Sequence, residues 1–269
     1  MVRVPMENEE REQLRATFDE AAELYDAARP VYPDAVLDEL IELARIPAGG
    51  RLLEIGPGTG KATVALAERG LAITGVELGA HLAEVARRRL ASFPAVGIVV
   101  ADFEQWEPER ADFDAVAAFT AFHWIAHDVR YTKTARLLRP GGALALVSAQ
   151  HVLAGGADDD FWVEVQADYD AVVPGPGNVP PPAPDEVGDW CEAIEASGLY
   201  EDVAIRRHLW TVDYGADEYI AVLGTYSNHL ALPEAQRAEL FARIHTRLVR
   251  RGSVTKTYLS ILAVAHRPG

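Results

Sequence analysis

The sequence predicts an α/β protein built on a doubly wound, mostly parallel sheet. Two observations carry this. Between residues 51 and 149 short apolar runs alternate with amphipathic stretches, the pattern of strands covered on both faces by crossover helices. The first apolar run then enters a glycine-rich turn, "LLEIGPGTGKAT" (52–63), the kind of strand–loop–helix junction at which open sheets bind ligands.

Each element has its own signal. "RLLEIG" (51–56) is the first strand, and "KATVALAERG" (61–70) sets apolar residues at helical spacing and closes on Gly70. "LAITGVEL" (71–78) reads as a strand, "AHLAEVARRRL" (80–90) as a helix and "VGIVVAD" (96–102) as the third strand. "FDAVAAF" (113–119) is the fourth apolar run. "VRYTKTARLLRPGG" (129–142) is a helix stopped by Pro140, Gly141 and Gly142, and "ALALVSA" (143–149) is the fifth strand.

The flanks break this rhythm. Residues 1–48 hold an amphipathic stretch, a break at "ARPVYPD" and a helix in "AVLDELIELARI". After Gln150 come a helical pattern in "DDDFWVEVQADYDAVV", a proline-rich connector in "PGPGNVPPPAPDE" and a helix over 185–197. A strand over 202–213, helices over 216–231 and 233–250, and a last strand in "SVTKTYLSILAVAH" complete the chain. The connector reads as a surface loop, because the residues C-terminal to it supply two strands but no sheet of their own. The expectation is a single domain over 1–269. Its core spans residues 49–150, 200–213 and 253–267, and its lid segments are 1–48, 151–190 and 214–252.

Composition narrows the function classes. The chain has 269 residues, 49% of them hydrophobic, enough for a large buried core. No run reaches the roughly 18–20 apolar residues of a membrane span. The first ten residues are charged and lack an apolar signal core. The single cysteine, Cys191, excludes an intrachain disulfide and is expected to pack as a small apolar group. A cytoplasmic location is expected. The net charge of −16 disfavours nucleic acid, whose binding needs Lys and Arg to neutralise phosphates. The densest basic runs, "ARRRL" (86–90) and "RLVRR" (247–251), lie on helical patterns and read as solvated faces.

The glycine loop discriminates among ligands. A P-loop requires G-x-x-x-x-G-K-[ST], but Ala62 follows Lys61 and Ile55 stands where the first glycine belongs. The dinucleotide fingerprint G-x-G-x-x-G/A fits Gly56 and Gly58 and then fails at Lys61. The actual pattern, E-x-G-x-G-x-G, suits a nucleoside without a pyrophosphate. Gly56, Gly58 and Gly60 let the backbone approach a ribose and the chain attached to it. Glu54 can accept from an ammonium group. Glu77, at the end of the second strand, matches two adjacent ribose hydroxyls, and Leu78 beside it joins the same contact set. Asp102, at the end of the third strand, can accept from an adenine amino group, with Phe103 along the ring.

This set of motifs resembles the class I S-adenosylmethionine-dependent methyltransferases. The likeness rests on "LLEIGPGTGKAT", "GVEL", "ADFE", "FDAVAAFTAFHW" and "LLRPGGALALV". It implies a seven-stranded Rossmann-like sheet in the order 3-2-1-4-5-7-6, with the last strand antiparallel and residues 202–213 and 254–266 as the sixth and seventh strands. "FDEAAELYDAARPVYP" (18–33) is similar to the opening of a small-molecule subgroup that includes trans-aconitate-like and ubiquinone/menaquinone-type methyltransferases. In that subgroup a tyrosine and an arginine reach the methionine end of the cofactor, which implies the same for Tyr25 and Arg29.

Methyl transfer needs an acceptor held in line with the departing sulfur. The acceptor side is expected in "FTAFHWIAHD" (119–128), with Phe119 and Thr120 along the methionine portion, His123 as the candidate base and Trp124 as an aromatic wall. Tyr226 and His229, in "GTYSNHLAL" (224–232), are further acceptor candidates. His123, His127 and Asp128 have metal-ligand spacing but no second cluster, so no metal is expected. The resulting expectation is a methyltransferase for a small-molecule acceptor, O-methylation being favoured, acting as a monomer or homodimer without nucleic acid or membrane. The rivals are a non-catalytic cofactor-binding or regulatory protein on the same fold and an RNA or protein methyltransferase.

Overall fold

The computed structural model describes residues 22–175 and 177–269; the start of the "FDEAAELYDAARPVYP" segment lies outside them. Seven strands form one sheet in the order β3-β2-β1-β4-β5-β7-β6. They are β1 (Arg51–Ile55), β2 (Ala72–Glu77), β3 (Val96–Val100), β4 (Phe113–Phe119), β5 (Leu138–His151), β6 (Glu201–Gly215) and β7 (Ser253–His266). The pairs β1–β2, β1–β4, β2–β3 and β4–β5 are parallel. This is the strand order that the resemblance implies.

The chain divides into two compact units. The first comprises residues 1–30, 150–188 and 209–259, and the second residues 31–149, 189–208 and 260–269. In the second unit the strands alternate strictly between two apolar layers. Leu52, Ala115, Ala117, Ala143, Ala145, Leu262 and Val264 enter one layer, and Leu53, Ile55, Val116, Ala118, Leu144, Leu146, Ala263 and Ala265 enter the other. A period of two with both phases apolar is what a sheet buried on both faces demands.

Helices supply the opposing surfaces. On the first layer lie Val36, Leu37 and Leu40 of α2 (Asp34–Leu43), Ala62 and Leu66 of α3 (Lys61–Glu68), and Ala86 of α4 (Ala80–Arg89). On the second lie Tyr131, Ala135 and Leu137 of α5 (His127–Leu137) and Ile194 of α8 (Cys191–Ser197).

The first unit has its own core. It contains α1 (Ala22–Ala28), α6 (Asp159–Glu164), α7 (Gln166–Val172), α9 (Ala216–Leu223), α10 (Ser227–Leu230) and α11 (Glu234–Arg251). In α11 the buried residues are Leu240, Ile244 and Leu248, a single stripe at i, i+4, i+8. They meet Phe161, Trp162, Val165, Tyr219, Val222 and Leu223. The arginines on this helix are clamped by carboxylates: Arg247 by Asp168 at 2.7 Å, and Arg251 by Asp158 at 2.6 Å and Asp160 at 2.8 Å.

Three expectations are corrected. The helix expected over 129–142 ends at Leu137, because Leu138 already pairs with Phe113 and a register shift follows in the β4–β5 ladder. The helix expected over 185–197 shrinks to Cys191–Ser197 after a single 3₁₀ turn at Pro184–Glu186, and the Asp189 side chain accepts the Cys191 N–H at 2.9 Å. That placement leaves Cys191 half-buried instead of packed, since the inward residue of α8 is Ile194. The helix expected over 216–231 breaks at Gly224–Tyr226, where the Thr225 hydroxyl donates to the Val222 carbonyl at 2.6 Å.

Candidate active site

The site of the second unit forms at the carboxyl ends of β1 to β4. Register brings these ends side by side: Ile55 lies between Val76 and Ala118, and Glu77 lies beside Val100. Glu54, Glu77 and Asp102 therefore share one edge of the sheet, and the glycine loop leaves that edge between them.

Gly56, Gly58 and Gly60 all adopt left-handed conformations, with φ of 64°, 59° and 83°. Such a run is open to glycine and strained for other L-residues. At Gly56 space is also limiting, because a Cβ there would stand 2.9 Å from the Ala121 side chain. The loop ends with Gly60 as the N-cap of α3.

Glu77 is held by the loop that it faces. One carboxylate oxygen accepts the Gly58 N–H and the other the Gly79 N–H, each at 2.8 Å. These bonds fix the plane of the carboxylate. Leu78, next to it, is 45% exposed, an unusual position for a large apolar side chain at a strand end.

Glu54 is in a different state. It is 1% exposed, and neither carboxyl oxygen has a hydrogen-bond partner. The buried hydroxyls of Thr59 and Thr63 are unpartnered as well. Four orphaned oxygens on one strand end and its loop are exceptional, since buried polar groups are normally satisfied. Burial raises the Glu54 pKa to about 7; Thr63, close by but outside hydrogen-bonding geometry, lowers it, and the Glu77 charge raises it.

The other edge of the site follows β4. Phe119 is buried against Tyr32, ring centroids 5.1 Å apart, and the Tyr32 hydroxyl bonds Thr120 Oγ1 at 2.8 Å. Thr120 has φ of 52°, a rare conformation for a β-branched residue, and such strain concentrates at functional sites. His123 and Trp124 follow in a 3₁₀ turn, their rings 4.9 Å apart and both half-buried. Asp102 Oδ1 accepts the Glu104 N–H at 2.9 Å, which fixes the turn after β3. Phe103, expected along an adenine ring, packs against the core with 6% exposure and the Lys133 ammonium 5.4 Å from its ring centroid.

Residues 52–142 match the family described as a methyltransferase domain. Over that stretch the chain is similar to a methyltransferase domain. An uncharacterized methyltransferase of Mycobacterium tuberculosis is 34% identical over 137 residues, covering 51% of this chain and 54% of the relative. An S-adenosyl-L-methionine-dependent Diels-Alderase of Talaromyces variabilis is 34% identical over 119 residues, 42% of this chain and 41% of the relative. The chain thus spans about half the length of the curated relatives it matches. Among solved structures, a protein provisionally assigned as a type II methyltransferase from Anaeromyxobacter dehalogenans shares the fold, with a TM-score of 0.66, 23% identity and coverage of 90% of this chain and 99% of that one.

The site fits S-adenosylmethionine on its own geometry. The left-handed glycine loop gives close backbone approach, Glu77 is pre-oriented, and the Glu54 carboxyl is buried without a partner until a cation arrives. Thr59, Thr63 and Tyr32 were not singled out from sequence. The threonines sit inside the loop motif, and Tyr32 stands between Val31 and Pro33 just after the "RP" break, a site for an aromatic that no helix pattern claims.

Tyr25, Arg29, Tyr226 and His229 belong to the first unit, where they meet one another. The Arg29 guanidinium donates to Thr225 Oγ1 at 2.7 Å and to the Thr225 carbonyl at 3.2 Å. It lies 5.2 Å from the Tyr25 ring centroid and 4.1 Å from that of Tyr226. His229 Nε2 bonds the Tyr169 hydroxyl at 3.0 Å. Among the described residues no group of three or more His, Cys, Asp or Glu could hold a metal, and no helix is long and apolar enough to cross a membrane.

Proposed function

We propose that this protein binds S-adenosylmethionine in the second unit and transfers its methyl group to a small organic acceptor, O-methylation being the favoured outcome. The observation that carries the reading is the pairing of a pre-oriented carboxylate, Glu77, with a buried unpartnered one, Glu54, across the glycine loop. Glu77 accepts the ribose hydroxyls, Asp102 the adenine amino group, and Leu78 lies against the base. Glu54 faces the ammonium of the methionine portion, and the Gly56–Gly60 backbone and Thr120 line that portion.

Bound there, the cofactor supplies an electrophilic methyl on a sulfonium. The chain's part is to orient that methyl and exclude water, which strengthens electrostatics at the positive centre. Where the acceptor carries a hydroxyl proton, the candidate base is His123, half-buried against Trp124.

Calorimetric titration with S-adenosylmethionine and S-adenosylhomocysteine tests the reading. Saturable binding that is weakened in Glu77→Ala supports it, and no binding to folded protein ends it. A second reading, a cofactor-binding protein that transfers no methyl, is favoured by the likeness to an S-adenosyl-L-methionine-dependent Diels-Alderase. It predicts cofactor binding without S-adenosylhomocysteine formation on any acceptor.

A further inference from the structure

In the first unit the ammonium of Lys256 and the guanidinium of Arg29 share one aromatic neighbour, Tyr226, and no ion pair to a carboxylate is found for either among the described residues. Lys256, on β7, is 3% exposed, and its ammonium donates to the Tyr226 hydroxyl at 2.9 Å. An ammonium carries three donors; the other two have no acceptor among the described residues. Around it stand the rings of Trp162, Tyr219, Tyr226 and Tyr258, their centroids at 5.8, 5.3, 5.2 and 5.1 Å. Arg29 stacks on the same Tyr226 ring and is anchored by the buried Thr225.

The carboxylates nearby are spent elsewhere. Asp168 pairs with Arg247, Asp213 accepts from the Thr255 hydroxyl at 2.6 Å, and Glu218 accepts the Gly215 N–H at 2.8 Å. Other polar neighbours are the Tyr214 and Tyr258 hydroxyls, bonded to each other at 3.1 Å, and two imidazoles. His151 Nε2 and His229 Nδ1 are buried without hydrogen-bond partners. Burial, then Lys256, pushes the His151 pKa far below the usual value, and burial, then Lys256 and Arg29, brings that of His229 to about 4. Both imidazoles report a positive potential from these cations, and the Tyr226 hydroxyl, which accepts from Lys256, is the group of the cluster that faces it most directly.

An unpaired buried ammonium costs several kcal/mol unless an opposite charge and further acceptors reach it. Four aromatic rings hold it in place through cation–π attraction, but their faces do not replace a hydrogen-bond acceptor. In a chain of net charge −16, a buried ammonium walled by aromatic rings, with a half-buried guanidinium on one of those rings, is a selective place for an anion.

We propose that the first unit contains a binding site for a small organic carboxylate on an aromatic or apolar body, with Lys256 and the Tyr226 hydroxyl as its charge-recognising groups. Lys256 supplies the free donors and the countercharge, the rings supply the apolar wall, and His229 supplies a further polar atom.

The test is calorimetry with benzoate and its neutral isostere benzamide, on the full chain with and without saturating S-adenosylhomocysteine. Wild type is expected to bind benzoate saturably and at least about tenfold more tightly than benzamide, about 1.4 kcal/mol. Lys256→Met should abolish that preference and Tyr226→Phe should reduce it, in proteins whose cooperative melting shows them folded. Equal binding of the two probes, no benzoate binding to a wild type that binds S-adenosylhomocysteine, or an unchanged preference in Lys256→Met overturns the proposal. So does displacement of benzoate by S-adenosylhomocysteine, which would show the anion recognised to be the cofactor's own carboxylate. Lys256-dependent benzoate binding in a protein that binds no S-adenosylhomocysteine would sustain the site and defeat the methyltransferase reading.

Discussion

The Glu77 carboxylate accepts the backbone N–H of Gly58 at 2.8 Å, nineteen residues earlier in the chain. One bond thus ties the tip of β2 to the turn after β1, and a second, from Gly79, fixes the other oxygen. The loop and the carboxylate are positioned as one object before any nucleoside arrives. Glu77→Ala should therefore do more than remove an acceptor. Two charge-assisted bonds to a ribose are worth ~1.5–3 kcal/mol each before water compensates. Titration with S-adenosylhomocysteine should show a loss of affinity of about a hundredfold or more, and an unchanged affinity would show that the ribose binds elsewhere.

Glu54 makes stability depend on pH with a definite sign. Its pKa is raised from 4.5 to about 7, mainly by burial. Folding therefore takes up a proton between those values, and stability falls as pH rises through that window, by about 3 kcal/mol at ~1.4 kcal/mol per unit. Below it both states are protonated and no penalty exists. Glu54→Gln should melt at a higher temperature than wild type above pH 7, match it in acid below the unfolded carboxyl pKa, and bind S-adenosylhomocysteine more weakly. Equal melting temperatures on the alkaline side would show that the carboxyl is not buried without a partner.

Gly56 and Gly60 share a left-handed backbone but differ in their surroundings. A Cβ at Gly56 would lie 2.9 Å from Ala121, whereas one at Gly60 would make contacts of 3.4 Å and beyond. Either alanine carries about 1–2 kcal/mol of left-handed strain, and Gly56→Ala adds a collision at the ligand face. Thermal unfolding should rank Gly56→Ala below Gly60→Ala, and cofactor titration should show the larger loss at Gly56. The reverse order would mean that the Ala121 segment yields easily.

The first unit can be probed through Ile244, fully buried in the middle of the α11 stripe. Ile244→Ala should destabilise by ~2–5 kcal/mol, as for other large-to-alanine core changes, measured by denaturant unfolding. A change below about 1 kcal/mol would show that the stripe is not a packed core.

Much of the second unit could be read from residues alone, because its strands are buried on both faces and announce themselves as apolar runs. The glycine loop and the acidic strand tips were legible for a related reason: each stands at a boundary where the period changes. The packing of Phe103 was not legible, because a phenylalanine after a strand can turn in or out, and the core cluster that it joins is assembled from distant elements. Lys256 carried a signal that went unread: a lysine inside "SVTKTYLSILAV", a strand otherwise apolar or neutral on both faces. Thr120 was named from its place after β4, but its left-handed φ and its bond to Tyr32 had no signal, since both come from the tertiary placement of that turn.

The most direct measurement is titration of the purified chain with S-adenosylhomocysteine at pH 7 in two buffers of different ionisation enthalpy. Saturable binding of one ligand per chain is predicted, with release of a fraction of a proton as Glu54, half-titrated with a pKa of about 7, meets the ligand's ammonium. A folded protein that binds none, or binds it without any proton release and unaffected by Glu54→Gln, would contradict the account.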